Sequence, residues 1–278
     1  MHPTLEKLIP TRFRSDSITI PVVRLHGPIG MASPLRPGMA LSSLAGTLEK
    51  AFSFKAPAVA LAINSPGGSP VQSRLIHNRI RALAAEKEKQ VFAYIEDVGA
   101  SGGYMLALAG DAILADPSSI VGSIGVVSGG FGLDRFIERF GIERRLYTAG
   151  ERKAVLDPFQ PEDPEDVAHL KALQREVHAQ FIALVRERRG DALSASEDLF
   201  SGLFWSGETA AALGLVDGLG DMRSDLRRRF GDTVKLKVIG SDRGRLRRMV
   251  GLGAGPAVSA DDVLGTIEAR ALWQRYGL

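Results

Sequence analysis

The sequence predicts an α/β fold with a mostly parallel sheet, on three observations. Residues 56–63 (APAVALAI) form a short continuous apolar run, as parallel strands buried on both faces do. A Gly-rich turn and a long helical stretch separate this run from a second one at Val91–Ile95, which makes a right-handed βαβ crossover. At 278 residues, 45% apolar and 24% charged, the chain has an ordinary globular composition and can bury a sizeable core.

Taken in order, residues 17–25 (SITIPVVRL) read as a first strand ending in the turn His26–Gly30, and 31–39 as a Pro/Gly-rich loop. Residues 40–54 set Leu41, Leu44, Leu48 and Phe52 at helical spacing. The 56–63 strand stops at Asn64-Ser-Pro-Gly-Gly68, and a helix runs from Val71 to Lys87. The Val91 strand passes through Gly99 into an Ala/Leu/Met-rich helix. Strands are predicted at 111–116, 120–127 and 143–148, with a short helix at 133–140. A loop at 149–164 leads to a long charged helix, 164–189, a helical stretch near Glu197, and a helix from Trp205 that Gly214 ends.

The tail differs in character. Residues 223–250 hold ten Lys/Arg against three Asp, a net of +7, and either complete or flank the domain of residues 18–222. Residues 251–258 (GLGAGPAV) read as a linker. Residues 259–278 read as a last amphipathic helix, opened by a capping box and carrying Leu264, Ile267, Leu272 and Trp273.

Composition narrows the function. A net charge of +3 is too small to argue for nucleic acid, and no nucleic-acid partner is expected. With no cysteine the chain has no disulfide framework, thiolate nucleophile or zinc ribbon, which suits the cytoplasm. The first twenty residues carry Glu6, Lys7, Arg12, Arg14 and Asp16, so no signal peptide is expected. No uncharged apolar run approaches 18 residues, so no transmembrane anchor is expected either.

The candidate chemistry gathers at strand-end turns. Ser101 lies where the Val91 strand becomes a helix, so the unpaired N–H groups and positive dipole of the helix start could stabilise an alkoxide or oxyanion. Taken alone, Ser101 reads better as a plain N-cap on a buried helix. Gly67-Gly68 and the Gly102 N–H offer two donors to an oxyanion at neighbouring strand ends. A serine nucleophile needs a base. His77, His169 and His178 lie on charged helices and read as solvated residues. Lysine serves better: the chain holds nine Lys against 26 Arg, and Lys153 alone lies between Lys89 and Lys171. Arginine does not release its proton at working pH, whereas burial lowers a lysine toward neutrality. Ser123, between Gly122 and Gly125, could hydrogen-bond the Lys153 amine; a turn or strand-end hydroxyl is the bland reading.

In this order, the motifs Asn64-Ser-Pro-Gly-Gly68, Gly99-Ala-Ser-Gly-Gly-Tyr104, Gly122-Ser-Ile-Gly-Val126, Lys153 before Asp157-Pro158-Phe159, and Gly214-Leu-Val-Asp217 resemble the signal peptide peptidase A family of Ser–Lys peptidases. The resemblance covers residues 18–222. It implies a caseinolytic protease/crotonase-like fold of repeated β-β-α units with a C-terminal helical appendage. By the same resemblance Ser101 is nucleophile and Lys153 general base, Gly68 and Gly102 form the oxyanion hole, and Ser123 orients the lysine. It further implies a peptide or protein substrate, such as unstructured or membrane-derived peptides and remnant signal peptides, a homo-oligomeric ring, and no metal or cofactor.

Three rivals stand beside it. Gly99-x-Ser101-x-Gly103 fits the nucleophile elbow of an α/β-hydrolase esterase, which needs a later histidine. A crotonase-like acyl-CoA enzyme would use the glycine turns without Ser101 and Lys153. A ring-forming scaffold would use neither. For the basic segment and the Trp273/Tyr276 helix, peripheral membrane contact is the alternative to a solvated face or a contact with a neighbouring subunit.

Overall fold

The computed structural model describes residues 17–30, 38–240 and 270–277. In chain order the elements are β1 (Thr19–His26), α1 (Leu41–Phe52), β2 (Ala58–Ser65), α2 (Pro70–Glu86), β3 (Gln90–Ala100), α3 (Gly102–Ala107), β4 (Ala112–Ala115) and β5 (Ile120–Gly122). Then come α4 (Asp134–Arg139), α5 (Pro164–Arg189), β6 (Phe204–Ser206), α6 (Gly207–Ala212), β7 (Gly218–Leu219), α7 (Met222–Phe230) and β8 (Lys235–Ile239).

Local chemistry sets the boundaries of these elements. Ser69 caps α2 by accepting the Gln72 N–H, with Pro70 in the first turn, where a missing N–H costs nothing. Asp163 with Pro164 opens α5 in the same way, and Asp221 caps α7 at Ser224.

The fold is mixed α/β, with one eight-stranded sheet ordered β6-β5-β3-β2-β1-β8, while β4 pairs β3 and β7 pairs β4. Every pairing is parallel except β5 with β6. The long β3 serves two partners: Phe92–Ile95 pair β4, and Val98–Ala100 pair β5. Alternate residues of the strands feed two cores. Val23, Leu25, Leu61, Ile63, Ala93 and Ile95 pack against α1, α2, α3 and α5. Ile20, Val22, Ala60, Phe92 and Tyr94 pack on the other face against Leu226 of α7. There Asp225 receives Tyr94, Arg228 and Arg229; burial opposes its charge, and these bonds hold its carboxyl below the usual range.

Four expectations need correction. Residues 143–148 form no strand: they are exposed, and Arg144 turns to Asp157 at 2.8 Å. The 120–127 strand stops at Gly122, because Ser123 turns to a φ of 52° and gives its N–H to Leu203 O at 2.7 Å. Trp205 lies in β6, and the following helix opens at Gly207 under a Ser206 cap. His77 is buried, not solvated, because α2 lays it against Met105 O of α3 at 3.1 Å. Residues 222–239 become α7 and β8, and β8 extends the sheet beside β1. The linker at 251–258, and 259–269 of the last helix, lie outside the described residues; 270–274 are helical. Among the described residues no helix is long and apolar enough to cross a membrane.

Candidate active site

The turns that end β2, β3 and β5 converge. The β2–β3 register slips from Ile63 opposite Ile95 to Ser65 opposite Gly99, which draws the 64–69 turn beside the last residues of β3. Ser65 Oγ donates to Gly27 O at 2.7 Å and accepts the Gly67 N–H at 3.3 Å. The Asn64 amide donates to Asp97 at 2.5 Å, while its oxygen accepts the Val98 N–H at 3.3 Å. On the outer side Ile29 N–H donates to Gly67 O at 2.8 Å, and Ser69 N–H to Ile29 O at 2.9 Å. A Cβ on Gly67 would stand 2.8 Å from Ser101 Cβ and 2.9 Å from Gly102 N, so only glycine lets the two turns touch.

Ser101 occupies the N-cap position of α3, but it caps nothing. Its φ is 53° and ψ −123°, its side chain makes no capping bond, and its hydroxyl has no hydrogen-bond partner among the described residues. Its N–H donates to Gly122 O at 2.8 Å, which ties the β3 end to the β5 end. A non-glycine residue at such a φ costs roughly 1–3 kcal/mol and persists where surrounding structure imposes it. The N–H groups of Gly68 and Gly102 donate to nothing among the described residues. One belongs to a turn and the other to the first helical residue, where N–H groups go unpaired.

Ser123 is buried at the end of β5 with its Oγ 3.3 Å from the Tyr276 hydroxyl. Lys153 stands elsewhere. It is exposed in a turn of the 126–163 arm, and neither a hydrogen bond nor an ion pair holds its amine among the described residues. That turn is fixed to the start of α5 by Arg152 to Glu165 and Asp166 (3.1 and 3.3 Å) and by the Leu156 N–H to Asp166 (3.2 Å). The structure thus brings Gly68, Ser101, Gly102 and Ser123 together, and among the described residues no hydrogen bond or ion pair joins Lys153 to them.

The histidines supply no substitute base. Burial, with Arg188, Arg81 and Arg74 nearby, pushes His77 down to about 4, although its bond to Met105 O works the other way. His178 Nε2 lies 3.0 Å from Ile124 O, His26 pairs with Glu96 at 3.0 Å, and His169 is exposed. His2 lies outside the described residues.

The family model of peptidase family S49 matches residues 84–236, a span that includes Ser101, Ser123 and Lys153. The chain belongs to peptidase family S49. It is similar to a protein named "Na(+)/H(+) antiporter NhaA" of Brucella abortus (strain 2308), 59% identical over 99% of this chain and 39% of that one. It is also similar to "Serine protease SPPA, chloroplastic" of Arabidopsis thaliana, 32% identical over 61% of this chain and 25% of that protein. "Protease 4" of Salmonella typhi is 31% identical over 66% of this chain and 29% of its own length. The chain therefore spans well under half of each of these three relatives.

Several residues of this S49 chain act behind the turns, and sequence reasoning did not single them out. The Tyr104 hydroxyl, buried under α3, donates to Leu215 O at 2.7 Å, and burial pushes its pKa up. Asp217 accepts the Ile113 N–H at 2.7 Å and pairs with Arg189 at 2.9 Å. Arg188 donates to Leu108 O and Gly110 O (2.8 and 2.9 Å), closing the carboxyl end of the helix that carries Ser101. The Gly-Leu-Val-Asp motif was legible as a motif, and its role is to anchor α3. Tyr276 gave only the signal of an apolar helix face.

Proposed function

We propose that the chain is a serine endopeptidase in which Ser101 attacks a peptide carbonyl, with Gly68 and Gly102 N–H groups holding the oxyanion. The carrying observation is a serine on a left-handed turn whose hydroxyl, among the described residues, caps nothing and binds nothing, beside two N–H groups that donate to none of those residues. Neutral Lys153 takes the Ser101 proton, and Ser123 orients the amine. The protonated lysine then passes that proton to the leaving amine, and water resolves the acyl-serine by the reverse sequence. A general base contributes ~10²–10⁴-fold and each oxyanion donor ~10²–10³-fold. The architecture is read as caseinolytic protease/crotonase-like, with residues 18–222 as the peptidase unit, and the substrates as unstructured or membrane-derived peptides.

The base reaches Ser101 across a contact between copies, in a homo-oligomeric ring. Two features support this reading: Lys153 is exposed and its amine has no partner among the described residues, and the arm around it is apolar. Phe131, Phe136, Phe140, Ile142 and Tyr147 are all more than half exposed on that arm. Together with α5 the arm frames a trough of about 1150 Å³ that includes no residue of the Ser101 turns. Exposed aromatic residues in one segment mark a surface for another protein. Burial at such a contact would also lower the lysine from ~10.4 toward the roughly 7–8 that a base at neutral pH needs.

The antiport named for the Brucella relative is inferred to lie outside the part matched here, since no described helix could cross a bilayer. The location is read as cytoplasmic. An esterase triad is the weaker reading, because each described histidine is either exposed or engaged away from Ser101.

The test is cleavage of a pool of unstructured peptides by wild type, Ser101→Ala, Lys153→Ala and an equal mixture of the two variants. Each variant alone is expected to be inactive. In a ring built from the mixture, about a quarter of sites would pair an intact Ser101 with an intact Lys153, and activity would return to that extent. Full activity of Lys153→Ala would exclude it as base; no recovery on mixing in assembled rings would place the pair within one chain.

A further inference from the structure

We propose that His77 and Arg81 of α2, with Arg188 of α5, are positioning residues for the Ser101 turn. By clamping the far end of α3 they fix Ser101 and the Gly102 N–H against the Gly68 N–H. The clamp stands on the contacts alone; its effect on turnover rests on the peptidase reading.

Helix α3 has six residues, too few to hold a helical shape unaided in water. Its front end lacks a side-chain cap, because Ser101 makes no capping bond. The far end is held instead. His77 Nδ1 lies 3.1 Å from Met105 O, and since a carbonyl only accepts, the proton of the neutral ring sits on Nδ1. Arg81 Nη1 donates to Ala109 O at 3.1 Å, and Arg188 to Leu108 O and Gly110 O. Three side chains from two other helices therefore hold four carbonyls within residues 105–110. The same arginines close a loop through Ser101. Asp111 donates its N–H to Val91 O at 2.7 Å and accepts the Val91 N–H at 2.8 Å, which ties the residue beyond α3 to the start of β3. Arg81 meets the other carboxylate oxygen at 2.7 Å. The unit β3–Ser101–α3 thus has the serine at its apex and the arginines at its base, so a base that slips carries the apex with it.

Helix α2 is the common reference for both oxyanion donors. Its cap, Ser69, directly follows Gly68. Its residues Ser73, His77 and Arg81 recur every fourth position on one face and meet α3 at Gly102, Met105 and Ala109. At Gly102 the fit has no slack, since a Cβ there would collide with Ser73 Oγ. One helix therefore sets the Gly68 N–H at its start and the Gly102 N–H along its flank. Sliding α3 along α2 changes the separation of the two donors, and a misplacement of ~1 Å costs ~10²-fold in rate.

The experiment compares the full chain as wild type, His77→Leu, His77→Asn and Gly231→Ala. The readouts are kcat and KM for an unstructured peptide, and amide hydrogen exchange over residues 101–111. Leucine keeps the bulk of the ring and removes the donor; asparagine loses bulk and keeps an N–H where Nδ1 stood. Gly231→Ala, at a turn between α7 and β8, controls for lost stability alone. His77→Leu should lose about 30-fold in kcat with KM within about twofold. Its exchange over 101–111 should rise about tenfold. His77→Asn should return kcat to within about threefold of wild type, and Gly231→Ala should keep the wild-type kcat. If His77→Leu does not fold, Arg81→Gln takes its place with about a tenfold loss in kcat, and Arg81→Lys becomes the form that recovers it. Equal kcat losses in the leucine and asparagine forms, a matching loss in Gly231→Ala, or a loss carried by KM would overturn the proposal. If no form cleaves any peptide, yet exchange over 101–111 rises in His77→Leu and falls back in His77→Asn, the peptidase reading fails and the clamp stands. Exchange unchanged in His77→Leu would overturn the clamp itself.

Discussion

Replacing Gly68 with alanine tests the oxyanion turn. A Cβ at Gly68 would fall well inside van der Waals contact with Ile29 O and stand 2.8 Å from Ile29 N, at a φ of 140° that L-residues rarely adopt. The obstacle is backbone, so no side chain can move aside. The turn must shift, opening the Ile29 N–H to Gly67 O and Ser69 N–H to Ile29 O bonds. Two such bonds at ~1 kcal/mol each, with roughly 1–3 kcal/mol of backbone strain, give a destabilisation of about 3–5 kcal/mol. The catalytic loss is separate. Moving the Gly68 N–H by ~1 Å misaims one oxyanion donor, which costs ~10²–10³-fold, about 3–4 kcal/mol of transition-state stabilisation. That loss belongs in kcat, with KM nearly unchanged, because the ground-state carbonyl does not use the donor fully. Gly231→Ala is the control: its φ is 90°, nothing lies within 4 Å of the added Cβ, and it sits between α7 and β8. It should lose about 1–2 kcal/mol of stability and none of its turnover. The assay is peptide cleavage at a temperature where all three forms are folded, alongside urea unfolding. A Gly68→Ala enzyme with more than a third of wild-type kcat would refute the assignment of this N–H to the oxyanion.

Ser101→Ala should abolish turnover yet leave stability within about 0.5 kcal/mol in thermal unfolding, since its hydroxyl has no hydrogen-bond partner among the described residues. His77 makes stability depend on acid. The unfolded chain protonates it near 6.5 and the folded chain at about 4, so its contribution is complete above 6.5 and is lost as pH falls toward 4. The loss approaches about 3 kcal/mol, and His77→Gln should remove most of that acid sensitivity in urea titrations at pH 7 and pH 4.5. Tyr94→Phe takes one donor from Asp225 but leaves its bonds to Arg228 and Arg229, so urea unfolding should show a loss of about 1 kcal/mol.

Much of this was legible because it is local. The 56–63 run, the Gly-rich turn and the 71–87 periodicity name a βαβ unit without reference to anything distant, and β2, α2 and β3 follow within a few residues. The strand-to-helix turn at Ser101 was legible for the same reason, since strand, Gly99 and helix are contiguous. What failed depended on partners remote in sequence. Residues 143–148 have strand-like side chains, but they stay exposed and join no strand of the sheet. His77 looks solvated between arginines until α3 is laid on it. The alternation of Lys235-Leu-Lys-Val-Ile, after an Asp221 cap and a short helix, could have disclosed α7 and β8. The charge count drew attention to the surface of that segment instead of its pairing with β1.

The backbone itself indicates which segments are under functional constraint. Among the described residues only Glu88, Ser101, Ser123 and Leu156 combine a side chain with a left-handed φ. Glu88 closes the turn between α2 and β3, where such a conformation is ordinary. The other three fall on the nucleophile turn, the β5 end and, three residues from Lys153, the turn that presents the lysine. Each conformation is unfavourable on its own and has to be imposed by its surroundings. At Ser101 the imposition is visible: its N–H is fixed to Gly122 O and its flank is pressed by Gly67. At Leu156 the bond to Asp166 does the same for the lysine turn. The chain thus holds both halves of the proposed chemistry in preset backbone conformations. In the proposed ring, docking of this arm on a neighbouring copy would bring the base to the serine.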